Sequence, residues 1–384
     1  MGFIYHAATT IIVVLAPFVF EAIYAASSKM SPDPLSLPQM KLLEADPWIS
    51  RVWTYQELIN GHSTYFTAPN SSQVSIIRAE SLFNCVGFSL TRWKSTTRSG
   101  ALLASKTFPN LSNLEDTISD TMVNRIFEIP AVCILSNMAM RAFDSKYPMN
   151  RLLACLGALT TQVSWGPPSM TMQALSEKFM GICESKGDYS FIFTADKRMN
   201  MPGKRWRPDP EQPEGKDPAH LVPVINWYGN MGETQEGHVD GESLLLANLV
   251  PLQRAERVNT KVEKEIDIFL YGDKDPKPEG SGRARLGVIY QDEMDGSQFE
   301  ALHRFLVQVG FSGCAEYITC DEGVFFAQES LQSRQSLELF AAQSLPYLFG
   351  YAGLAKWNDG VARYCAGVFI GIVKRENAQS VRVA

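Results

Sequence analysis

The pattern of apolar and polar positions changes character along the chain. Near the start, Thr9-Thr10-Ile11-Ile12-Val13-Val14-Leu15 is a continuous, mostly β-branched run closed by Pro17. Such a run predicts a strand covered on both faces of a parallel sheet. Residues 17–30 have helical composition, and Ser31-Pro32-Asp33-Pro34 breaks it. A short helix is predicted from Leu37 to Glu44 and a longer one from Pro47 to Asn60. For the longer one, Asp46 caps, proline is tolerated at the first helical position and Gly61 stops the helix. Residues 74–94 read as a strand turning into an amphipathic helix. Residues 131–143, 149–159 and 169–186 read as helices, the last ended by Gly187, and Tyr189 to Phe193 as a strand.

Residues 197–223 interrupt this order. They hold Pro202, Pro208, Pro210, Pro213, Pro218 and Pro223 among mixed charges, which predicts an irregular, exposed crossing and a domain boundary. Beyond it strand-like runs dominate, at 243–252, 262–271, 285–290, 315–326 and 363–373, with helical patterns at 297–309 and 333–343. The N-terminal half therefore reads as helical with parallel-type strands. The C-terminal half reads as α+β with much antiparallel sheet.

Composition narrows the class. With 384 residues, 45% hydrophobic and 20% charged, the chain has room for two ordinary globular domains. A net charge of −6 gives no electrostatic footprint for nucleic acid. Seven cysteines at 85, 133, 155, 183, 314, 320 and 365 show no metal-ligand spacing, so reduced thiols in a reducing, cytoplasmic compartment are expected.

The uncharged stretch before Glu21 admits three readings. A signal peptide needs a positive start, which is lacking. A membrane anchor over residues 2–26 needs flanking basic residues, and the first is Lys29. The third reading is the buried strand.

The chemistry concentrates at Asp46-Pro47-Trp48-Ile49-Ser50-Arg51-Val52-Trp53-Thr54-Tyr55-Gln56-Glu57-Leu58. On one helix Trp53 and Glu57 share a face, and an aromatic beside a carboxylate can desolvate it for acid/base work. The bland alternative places Trp53 in the core and pairs Glu57 with an arginine.

Here the residues carry a resemblance. Arg51-Val52-Trp53-Thr54-Tyr55-Gln56-Glu57 resembles the end of the fungal heterokaryon incompatibility (HET) domain. Met1-Gly2-Phe3-Ile4-Tyr5-His6-Ala7-Ala8 with Ile11 to Leu15 resembles a block before it. Arg141-Ala142-Phe143-Asp144 with Asn150-Arg151-Leu152-Leu153-Ala154-Cys155-Leu156-Gly157 resembles a segment that follows it. The family's opening blocks would lie before Met1, so the chain reads as a HET protein lacking the first half of that domain.

The resemblance implies a partial flavodoxin-like α/β fold, since HET domains are similar to Toll/interleukin-receptor (TIR) domains. It implies the C-terminal half of that domain over residues 1–67, a helical extension over 68–200, a Pro-rich linker over 201–223 and an α+β region of unassigned role over 224–384. It further implies a role in non-self recognition and programmed cell death. The partners would be other HET-domain proteins or an upstream sensor, with homo-oligomers also open, and neither nucleic acid nor membrane is expected. By TIR analogy NAD is the substrate of the intact domain and Glu57 its catalytic carboxylate. Trp48, Arg51, Trp53, Gln56, Asp144 and Arg151 are motif positions. A non-catalytic interaction module and a membrane-anchored protein remain the alternatives.

Two weaker signals point elsewhere. Gly280-Ser281-Gly282-Arg283-Ala284-Arg285-Leu286-Gly287 has the wrong spacing for a dinucleotide loop and reads as a hairpin. Lys197-Arg198 and Lys204-Arg205-Trp206-Arg207 form a basic run that nearby acids cancel, and read as solvated linker.

Overall fold

The computed structural model describes the chain outside residues 1, 30–32, 70–74, 97–106, 125–127, 142–147, 161–170, 211–220, 227–232, 272–296, 332–333, 335, 348–349, 360 and 384. The chain divides into two compact units, Met1–Ile126 with Met140–Ser169, and Phe127–Ala139 with Met170–Ala384. The division runs through residues 68–200, which the sequence presents as one extension.

In the first unit, α1 (Gly2–Ala7) precedes β1 (Ile11–Val14). A crossover of α2 (Pro17–Ser27), α3 (Leu37–Glu44), α4 (Pro47–Ser50) and α5 (Val52–Asn60) leads to β2 (Thr64–Thr67), which lies parallel to β1. Asp46 caps α4 as expected: its Oδ1 accepts from the Trp48 N–H at 2.9 Å, while Oδ2 accepts from the Ala16 N–H at 3.1 Å. The short β3 (Ile77–Arg78) pairs antiparallel with β2 and runs into α6 (Ala79–Thr96). Then come α7 (Pro109–Asn124) and, within the same unit, the helix Met149–Leu159. Alternate residues Ile11, Val13 and Leu15 join the core with Val19, Phe20, Trp48, Phe66 and Leu82.

β1 departs from expectation. Ile12 and Val14 are 65% and 55% exposed, so one face of the strand is covered, not two. The β-branched run reports strand propensity; cover depends on what packs against each face. Residues 2–26 are split among α1, β1 and α2, and among the described residues no helix is long and apolar enough to cross a membrane.

The second unit opens with the buried helix α8 (Ala131–Ala139). Numbering Met149–Leu159 as α9, the next helix is α10 (Met172–Lys186), closed by Gly187 in the left-handed region at φ 74°. Residues 189–193 are not a strand but carry a 3-10 turn, Ser190–Ile192. The buried Asp188 imposes it, because its carboxylate accepts from the Ser190 N–H at 2.9 Å and the Ala131 N–H at 2.6 Å.

The remainder is an antiparallel sheet built from β4 (Gly237–Asp240), β5 (Ser243–Leu252), β6 (Tyr317–Cys320), β7 (Gly323–Ala327), β8 (Glu338–Tyr347), β9 (Gly350–Asn358), β10 (Ala362–Gly371) and β11 (Gln379–Val383). The order is β11-β5-β8-β9-β10-β7-β6, with β4 also on β5. Gly353 and Gly367 pair across β9 and β10, and a Cβ on either would lie 2.5 Å and 2.7 Å from the Phe325 ring, so the two glycines make its slot.

Two expected elements exchange type. Residues 262–271 form a helix, α11 (Thr260–Tyr271), burying Val262, Ile266 and Leu270 at four-residue intervals. Its Asn259 side chain accepts from the Lys261 N–H at 2.9 Å. The helix expected at 333–343 is overturned over residues 338–343, which lie in strand β8 between β5 and β9, where pairing on both edges overrides propensity. The helix expected at 297–309 is α12 (Gln298–Gln308), with Ser297 and Glu300 as a capping box. The strand expected at 285–290 and the glycine run 280–287 lie outside the described residues.

The described part of 197–223 is irregular but not an exposed linker. Trp206, Arg207, Pro208, Pro210, Leu221 and Pro223 are buried. Arg207 pairs with Glu184 at 2.7 Å and with Glu177 on α10, which is how its charge is tolerated inside.

Burial pushes the Asp188 carboxyl above the usual aspartate range, against the pull of the amides bonded to it. Asp188→Ala strands two buried N–H groups, at a cost of about 1–3 kcal/mol each. The raised carboxyl makes the folded state the tighter proton binder. Its stabilising effect is full below the ordinary aspartate range and declines as pH rises through the raised value. The stability gap between wild type and Asp188→Ala, measured by denaturant midpoints, should therefore narrow with rising pH.

Candidate functional site

The site is organised by a break in the helix expected from Pro47 to Asn60. Arg51 is extended, with φ −66° and ψ 142°, and separates α4 from α5. In one continuous helix Trp48 and Glu57 would lie on opposite faces, roughly 13 Å apart along the axis. The break folds Trp48 back, and its indole Nε1–H donates to Glu57 Oε2 at 2.8 Å. The Trp48 ring also meets Phe66 of β2 edge-on at 5.1 Å.

The other Glu57 oxygen, Oε1, accepts from the Tyr5 hydroxyl at 3.2 Å. Arg51 Nη2 lies 4.0 Å from it, with the arginine side chain 53% exposed and the glutamate 12%. Burial, then the adjacent Glu57 charge and hydrogen bond, push the Tyr5 phenol up to about 12. Tyr5 thus stays a donor to the carboxylate throughout the neutral range.

A buried cation donates to the carbonyls at the break, of which that of Arg51 also accepts from the Thr54 N–H at 3.2 Å. Arg141 Nη1 donates to the Ile49 carbonyl at 3.2 Å and the Arg51 carbonyl at 3.3 Å, while Nη2 donates to Thr117 Oγ1 at 2.5 Å. Its guanidinium lies 5.8 Å from the centre of the Tyr55 ring. Further along α5, Asn60 Nδ2 donates to the Gly157 carbonyl at 2.8 Å. A Cβ at Gly157 would fall 1.8 Å from Gln56 Nε2, so α5 and α9 meet through a glycine. The Gln56 amide is buried, and neither its nitrogen nor its oxygen has a hydrogen-bond partner among the described residues.

The sequence-derived residues sort as follows. Trp48, Arg51 and Glu57 come together. Trp53 is half-buried on α5 and makes no hydrogen bond to Glu57; the aromatic on the carboxylate is Trp48, five residues earlier. Gln56 faces α9, and Arg151 is buried on that helix. Asp144 lies outside the described residues. Tyr5, Arg141, Asn60 and Gly157 complete the arrangement. Residues 5, 141 and 157 stand in the segments that carry the family resemblance, but helix periodicity gives none of them a partner.

Chemically, the arrangement is a carboxylate fixed by one indole and one phenol beside an exposed guanidinium. It can hold a cationic or hydroxyl-bearing group only on the small part of Glu57 left open toward Arg51. Comparison with known proteins returns no matching family model, no similar curated protein and no similar solved structure.

The α5–α9 contact is testable by a double-mutant cycle. Gly157→Ala should destabilise the first unit by about 1–3 kcal/mol through overpacking. In a Gln56→Ala background the same change should cost less than half as much, as read from denaturant midpoints. Equal costs in both backgrounds would show that the side chain of Gln56 does not close on Gly157.

Proposed function

We propose that the protein belongs to the fungal heterokaryon incompatibility type and acts in non-self recognition and programmed cell death. The observation that carries the reading is the convergence on α5 of three distant segments. Tyr5 meets Glu57, Arg141 meets the carbonyls of Ile49 and Arg51, and Gly157 meets Gln56 and Asn60. These are the segments whose residues resemble the HET pattern, and chance resemblance gives no reason for them to pack together. The parallel β1–β2 pair with its helical crossover supports a flavodoxin- or TIR-like origin for residues 1–67. The exposed Ile12 and Val14 belong to the face that a doubly wound sheet covers with a second helix layer.

On this reading death follows assembly with other HET-domain proteins, with a sensor or with further copies, in the cytoplasm. In an intact domain Glu57 would assist cleavage of the nicotinamide–ribose bond of NAD by stabilising an oxocarbenium-like centre. A second reading has its own observation. Both Glu57 oxygens are occupied and the side chain is 12% exposed, which favours a structural carboxylate in a non-catalytic interaction module.

The two readings separate on one substitution. A form extended upstream by the family's opening blocks should kill a fungal host on overexpression. Glu57→Gln should abolish killing and NAD loss while shifting the thermal midpoint by only a few degrees. Undiminished toxicity of the variant would remove Glu57 from catalysis. Co-purification of the present chain with an intact HET-domain protein would then support the module.

A further inference from the structure

The second unit contains a cavity of about 520 Å³ that no reading of the first unit involves. Its walls come from residues 194–200, Arg205, the two residues after β7, Arg334, Trp357 of β9 and the start of β10. Five cations line it: Lys197, Arg198, Arg205, Arg334 and Arg363. Against them stand Asp196 and Glu329 in the wall and Asp359 paired with Arg334, a formal balance of +2 (five less three) in a chain of net charge −6.

The two acids in the wall do not neutralise the group. The Asp196 carboxylate is buried and accepts from the backbone N–H groups of Leu221 at 3.0 Å and Val222 at 3.2 Å. Glu329 is exposed and makes no ion pair among the described residues. Arg198 and Arg334 are held in place. Arg198 lies 4.8 Å from the centre of the Tyr364 ring and donates to the carbonyls of Ile192, Thr194 and Asp196. Arg334 lies 4.9 Å from the centre of the Trp357 ring and pairs with Asp359 at 2.8 Å, an acid that Trp357 Nε1 also contacts at 3.0 Å.

Lys197, Arg205 and Arg363 have neither an ion pair nor a side-chain hydrogen bond among the described residues. Lys197 and Arg363 are exposed and Arg205 is half-buried, and cations that line one cavity repel one another. Ordinary surface arginines escape it by spreading or by pairing. Three unpaired cations around one cavity, backed by two fixed guanidiniums, form a receptor for a compact multiply charged anion. The cavity has the size of a small-molecule site, and arginine forks match phosphoryl oxygens. The Cys365 thiol in the wall is pushed up to about 12 by burial first, so it stays protonated and the site binds rather than attacks.

We propose that this cavity binds a small organic phosphate carrying at least two negative charges, such as a nucleoside diphosphate or a sugar bisphosphate. The phosphoryl groups sit among Lys197, Arg205 and Arg363, and Arg198 and Arg334 set the field behind them. The proposal does not rest on the HET reading.

The test uses the full chain and calorimetric titration with pyrophosphate, ADP, fructose 1,6-bisphosphate and adenosine. Pyrophosphate and at least one organic phosphate should bind with 1:1 stoichiometry, and adenosine at least about tenfold more weakly. Comparison of ADP with the sugar bisphosphate identifies the source of the phosphate. Arg205→Ala with Arg363→Ala should weaken pyrophosphate at least about tenfold, the equivalent of one lost charge-assisted contact. Neither residue has a bonding partner to lose, so the thermal midpoint of the ligand-free variant should stay at or above that of wild type. Lys197→Glu provides an independent check and should also weaken pyrophosphate at least about tenfold. No saturation by any phosphate at millimolar concentration, or unchanged affinity in both variants, would overturn the proposal. So would tighter binding of a single-stranded oligonucleotide than of every small phosphate.

Discussion

The first unit depends on a helix that does not continue. An extended Arg51 between α4 and α5 leaves the Ile49 carbonyl without an intrahelical donor and the Arg51 carbonyl with one, the Thr54 N–H at 3.2 Å. Buried carbonyls in that position cost about as much as lost hydrogen bonds unless something donates to them. Arg141, itself 3% exposed, donates to both carbonyls from a distant segment and also to Thr117. The cation needs the break for acceptors, and the break needs the cation for donors. The bridge ties the end of α4 and the start of α5 to Thr117 of α7.

From that constraint the carboxylate site follows. Only with the break does Trp48 reach Glu57, and only with α5 fixed does Tyr5 of α1 meet the other oxygen. The Gln56–Gly157 contact is the converse case. An unpartnered buried amide is a cost of about 1–3 kcal/mol that an apolar side chain would avoid.

What the sequence made legible was local. The cap at Asp46, the helix at 297–309, the stop at Gly187 and the strands at 243–252 and 363–373 all rest on nearest-neighbour chemistry and appear where expected. The misreadings share one cause. At 262–271 isoleucine and valine pointed to a strand, while the four-residue spacing of Val262, Ile266 and Leu270 decided for helix. At 338–343 helix-forming composition gave way to pairing with β5 and β9. The choice of Trp53 over Trp48 assumed an unbroken helix, and nothing near Arg51 announces a donor ninety residues away. The basic run 204–207 looked solvated because Glu177 and Glu184, which neutralise Arg207, are distant in the chain.

Charge in the second unit is governed by the same distinction between summed and placed groups. The chain as a whole is acidic, and the acids near 204–207 in sequence cancel its cations on paper. In the fold Glu184 and Glu177, distant in the chain, serve Arg207, and Asp196 serves two backbone amides. Lys197, Arg205 and Arg363 line one cavity and have no ion pair among the described residues. A net charge thus says little about local potential once each carboxylate has been assigned the donor it satisfies. The field at the cavity is set by which acids remain uncommitted, and Glu329 is the one left at its wall.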